Sequence, residues 1–154
     1  MTATDTPSSR VAPGLGDLRP APAGMPDPAI APPVVAESDD PFATIRVIDL
    51  LARVERGRPI RLADVTDRLN ATYLDWLFTS SVVADVIIGL QANWMTDYRN
   101  SSGIVLEDSA YGASVQIEDS SRVDPWIAGQ AQRAAARCRQ RLAEFARRDT
   151  LGGG

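Results

Sequence analysis

Six prolines between positions 20 and 33 (Pro20, Pro22, Pro26, Pro28, Pro32 and Pro33) constrain the folded part of this chain more than any other feature. Proline fixes φ and has no backbone N–H, so neither a helix nor a sheet ladder runs through such a stretch. Residues 1 to 40, rich also in Ala, Thr, Ser and Gly, are therefore expected to form a disordered arm, or one that drapes over a partner. Ile30, Val34 and Val35 are its candidate anchors. What remains of the 154 residues suffices for one modest core.

The side chains available for chemistry are few. All sixteen cationic residues are arginine, histidine is absent, and Cys138 is the single cysteine. A lysine-free and histidine-free chain has no Walker lysine, no Schiff base, no histidine-dependent triad and no Cys/His zinc site. GC-rich codon usage is the plainer explanation for the missing lysine, and selection against lysine modification the alternative. The carboxylates, hydroxyls and arginines that remain form no pattern that names a reaction, so the expectation is a nonenzymatic protein without cofactor or metal.

Net charge is −4, unevenly spread: residues 125 to 154 carry six arginines against two acids, whereas the preceding segments are acidic. An acidic chain is a poor general ligand for phosphate backbones, whose affinity comes from cationic counterion release. Its one long apolar run, Val82 to Ile88, is broken by Asp85 and is too short to span a membrane. With no basic start and apolar leader, the expected location is cytoplasmic.

Asp40-Pro41 reads as a cap followed by a first-turn proline, opening a helix whose stripe runs through Ile45, Ile48 and Leu51 until Gly57. Pro59 to Leu62 leaves room for a short strand, and helical spacing resumes over Ala63 to Asn70. Tyr73 to Phe78 reads as a short apolar helix, and Val82 to Tyr98, capped from Thr79 to Ser81, as a longer one. Alternation over Gly103 to Asp119, with a turn from Ser109 to Gly112, predicts a β-hairpin. Asp124-Pro125 repeats the capping signal before a long basic helix over 123–149, with 150–154 a flexible glycine tail. The fold class expected is α+β, mostly helical, with a long C-terminal helix.

This order, with Leu62 to Leu69 followed by Tyr73 to Phe78 or Val82 to Trp94 and then the hairpin, resembles a winged helix-turn-helix domain over residues 42–119. The resemblance implies a recognition helix in the DNA major groove and a basic wing on the backbone. Here Tyr73 to Trp94 holds Asp75 and Asp85 and no arginine, and the wing carries Glu107, Asp108, Glu118 and Asp119. The winged-helix-like domain, 41–122, is therefore expected to dock proteins rather than DNA. An interaction, adaptor or assembly protein is the leading reading, and a winged-helix DNA-binding transcriptional regulator the alternative.

Three groups of residues are candidates for sites. Ile127, Ala131, Ala134, Cys138, Leu142 and Phe145 repeat at steps of four and three, a helix seam for another helix of this chain, a protein partner or a second copy. Arg133, Arg137, Arg141 and Arg148 flank that seam as a solvated face or a ridge for an acidic partner or phosphates. Glu107-Asp108 and Glu118-Asp119 are expected at corresponding ends of the hairpin strands, as solvated acids or as halves of a cation site.

Overall fold

The computed structural model describes residues 32–99 and 103–152, and its first helices begin where the sequence offers caps. Asp40 stands in extended conformation ahead of α1 (Pro41–Leu51), and its Oδ1 accepts from the Phe42 N–H at 2.9 Å. Thr79 caps α3 (Ser80–Tyr98) in the same way, accepting from the Val82 N–H. Between them lie β2 (Ile60–Arg61) and α2 (Leu62–Thr72). The hairpin β4 (Ile104–Ser109) and β5 (Gly112–Ile117) follows, then α4 (Val123–Gly152). The fold is α+β and mainly helical, with small sheets and a long C-terminal helix.

Antiparallel pairing gives the main sheet the order β2-β5-β4. Register sets Ile104 opposite Ile117 and Leu106 opposite Val115, so alternate residues turn their apolar side chains onto α2 and α3. Under that sheet Val65, Leu69, Val83, Ile87 and Trp94 are fully buried. The Trp94 ring meets Trp126 of α4 edge to face at 5.0 Å, and a β-carbon at Gly103 would overlap that indole. The Trp126 Nε1–H donates to Asp97 Oδ2 at 2.6 Å, which ties α4 to the end of α3.

Several sequence expectations need correction. Tyr73 to Phe78 is not a helix: Trp76–Leu77 forms a strand, β3, parallel to a two-residue strand β1 (Val34–Val35). The Asn70 side chain enforces this extended backbone by bonding both the N–H and the C=O of Phe78, at 2.7 and 3.0 Å. Residues 33–40, the end of the expected arm, thus belong to the folded unit, which begins at Pro33, and Ala36 is buried.

Helix α1 also ends at Leu51, short of Gly57. Arg56 takes the carbonyls of Leu51 and the capping Ala52 at 3.1 and 3.2 Å, as a cation at a helix C-terminus should, and that of Val54 in the following turn at 2.7 Å. Gly57, at φ +78°, instead turns the chain so that its N–H reaches Ile117 O at 2.7 Å. Asp124 is no cap, because α4 opens at Val123 and places it in the first turn, bound to Arg56 at 2.6 Å. The acidic pairs sit at opposite ends of the hairpin: Glu107 lies opposite Ser114 near the tip, and the Glu118 N–H donates to Gly103 O at the base.

Candidate interaction surfaces

Helix α4 holds most of the residues singled out in the sequence, and the fold divides them. Ile127, Ala134 and Cys138 are buried and Ala131 half-buried, because α1 lies along this part of the helix. Leu142 and Phe145 are 54% and 44% exposed. The seam is therefore filled intramolecularly in its first half and open in its second. There the Arg148 guanidinium sits 5.9 Å from the Phe145 ring centroid, so apolar and cationic surface are joined. Burial raises the pKa of the Cys138 thiol, and the Asp40 charge adds to this against Arg137, Arg46 and Arg141. A thiol held neutral in this way is packing rather than a nucleophile.

Arg133 and Arg137 line a groove between α3 and α4 that extends to Ser38 and Thr44 near the start of α1. Arg58, Arg61 and Arg68 share a depression beyond the other end of α1, where Arg58 faces Glu55 and Arg61 faces Asp64, each at 3.5 Å. A DNA-reading face needs these two cationic groups to converge, and α1 separates them. Along Ser80–Tyr98 the charged residues are Asp85 and Asp97.

A cleft of about 480 Å³ opens between α1 and α4 on the other flank, walled by Ile45, Ile48, Ile127 and Ala131. At its edge the Arg46 guanidinium lies 4.4 Å from the Trp76 ring centroid and 5.3 Å from that of Tyr73. Its Nη1 donates to Phe42 O at 2.8 Å. Tyr73 Oη donates to Asp49 Oδ2 at 2.9 Å, and Arg53 reaches the same oxygen at 2.7 Å. Burial first, then the bond to Asp49 and its charge, raise the Tyr73 pKa; Arg53 and Arg46 oppose them. The cluster pins β3 to α1, and it contains no activated nucleophile.

Of the arm anchors, Val34 and Val35 are exposed on β1, and Ile30 lies outside the described residues. Sequence reasoning missed two surface features. One is Gln130, 5% exposed within the α3–α4 groove. The other is Tyr111, 94% exposed at the hairpin tip, a position its place in an Ala-Tyr-Gly turn already marks as outward. Among the described residues, no group of three or more Cys, Asp or Glu side chains is arranged to hold a metal, and no helix is long and apolar enough to cross a membrane. No protein-family model, curated protein or solved structure matches the chain.

Proposed function

We propose that this protein is a nonenzymatic interaction or assembly protein, in which a winged-helix-like domain carries a projecting helix as its docking element. One observation carries the reading: the seam of α4 continues past its own partner helix, leaving Leu142 and Phe145 exposed on a helix that holds six arginines. Exposed apolar side chains continuous with a packed seam and edged by cations suit a second helix with acidic margins. The order α1-β2-α2-α3-β4-β5 and the strand order β2-β5-β4 support the winged-helix comparison. Exposed Glu107 and Asp108 on the wing, and no cation on α3, weigh against the DNA-regulator alternative. Cytoplasmic location belongs to the same proposal.

A photo-crosslinking residue, p-benzoylphenylalanine, in place of Phe145 tests the docking role in extract of the native cell. The expected result is a discrete crosslinked protein band that Leu142→Asp in the same chain abolishes. A chain that stays uncrosslinked, or that crosslinks equally after Leu142→Asp, overturns the reading.

A further inference from the structure

The groove between α3 and α4 has a volume of about 560 Å³ and opens at Gly89, where an added β-carbon would meet nothing within 4 Å. Val86 and Leu90 form an apolar floor. Gln130 is 5% exposed in the same wall, and its Oε1 accepts from Asn93 Nδ2 at 3.2 Å. The NH2 of that amide is a hydrogen-bond donor in the wall that an occupant's acceptor can use. Arg133 and Arg137, one turn apart and both exposed, edge the groove and make no ion pair among the described residues. Asp85 of α3 lines the groove as well, so its cationic character belongs to the α4 edge, and the groove suits an occupant with an apolar body, a hydrogen-bond acceptor and acidic groups placed toward Arg133 and Arg137.

The hairpin tip of this same chain has that composition. Tyr111 is 94% exposed, and Glu107 and Asp108 beside it are exposed and face Ser114 and Ala113 across the strands. The tip is preorganised: Ser109 Oγ accepts from the Tyr111 N–H at 3.2 Å and donates to Gly112 O at 3.0 Å, and Gly112 takes φ +104°. We propose that the α3–α4 groove receives the hairpin tip of a second copy. Tyr111 enters over Gly89, its phenol oxygen accepts from the Gln130 amide, and Glu107 and Asp108 meet Arg133 and Arg137. Each copy then offers a tip at one place and a groove at another, so the contact is heterologous and head-to-tail. A hairpin tip buries little area, so the association is weak and dependent on concentration and salt. The proposal rests on the assembly reading above but uses a surface separate from Leu142 and Phe145.

Sedimentation velocity of the full chain from micromolar to millimolar concentration tests this. The wild type should gain mass with concentration and lose that gain at high salt. Tyr111→Ala alone, and Arg133→Glu with Arg137→Glu, should each weaken self-association at least about tenfold, with unchanged circular dichroism. Mixing the two variants should restore a one-to-one pair, because the arginine variant keeps its tip and the tyrosine variant keeps its groove. Leu142→Asp with Phe145→Asp should associate as the wild type does. A wild type that remains at 16.6 kDa throughout overturns the proposal, as do groove and tip variants that associate normally or a mixture that fails to pair. If only the Leu142/Phe145 variant loses association, the projecting helix is the interface and the groove is not.

Discussion

Two stretches of α4, Val123 to Cys138 and Arg139 to Thr150, share one apolar spacing and meet different surroundings. The first packs Trp126, Ile127, Ala134 and Cys138 into the core, whereas the second leaves Leu142 and Phe145 in solvent. The cause is length. At about 1.5 Å per residue, the 11-residue α1 covers roughly 16 Å of a 30-residue helix about 45 Å long. Periodicity thus identifies the face of a helix that seeks a partner, and the length of the neighbouring elements decides how much of that face finds one within the chain. A seam longer than its internal partner is what makes the second stretch a candidate for contact with another molecule.

The largest expected effect lies in the packed stretch. Trp126→Ala removes an edge-to-face contact with Trp94 and the bond to Asp97, and should cost about 3–5 kcal/mol in urea unfolding. A loss below about 1 kcal/mol would mean that α4 is not anchored at this end, and the contrast between the two stretches would collapse. A smaller effect is expected where α1 begins, near the last buried position of α4. Asp40→Ala removes the cap of α1 and should cost about 1 kcal/mol, with Asp40→Asn retaining most of it.

Raising the pH probes the packed stretch through Cys138 and the neighbouring α1 through Tyr73, which bonds its Asp49. Tyr73 beside Asp49 and Cys138 beside Asp40 both have pKa values raised from ordinary values of 10.0 and 9.0, so the fold favours their neutral forms. For an acid with a raised folded pKa, the contribution is complete below the unfolded pKa and disappears as pH rises through the folded one. Stability should therefore hold to about pH 9 and fall above it, first through Cys138 and then through Tyr73. Urea midpoints of the wild type and of Tyr73→Phe across that range check this. The Phe variant should show the shallower decline, and an equal decline would remove Tyr73 from the account.

Local chemistry made much of this fold legible: Asp40-Pro41, Thr79, the alternation of Ile104 with Leu106, and the turn before Gly112 each act over a few residues. What stayed hidden depends on distant partners. Trp76–Leu77 looks helical by composition, and becomes a strand only because Val34–Val35 lies beside it and Asn70 reaches Phe78. Arg56 ends α1 by folding back on carbonyls that composition assigns to no one, and its link to Asp124 spans 68 positions. The α4 seam was readable as a face, but its division at Cys138 was not, since that depends on where α1 stops. Gly89 and Gln130 carry no sequence signal at all, because a groove is a relation between two helices.

The smallest expected effect is the one that isolates the second stretch. Leu142→Ala with Phe145→Ala should change stability by no more than about 0.5 kcal/mol each, since side chains already in solvent lose little on truncation. The same pair placed in a core would cost several kcal/mol, so the measurement separates a free face from a packed one by a wide margin. Amide exchange sharpens the result: beyond Cys138 the described side chains are exposed or half-buried, so that stretch should open far more readily than Ile127 to Ala134, whose protection should approach the global value. If the double variant destabilised the isolated chain by core-like amounts, Leu142 and Phe145 would be packed within it. The helix would then end its work at the core, with no face left for a partner.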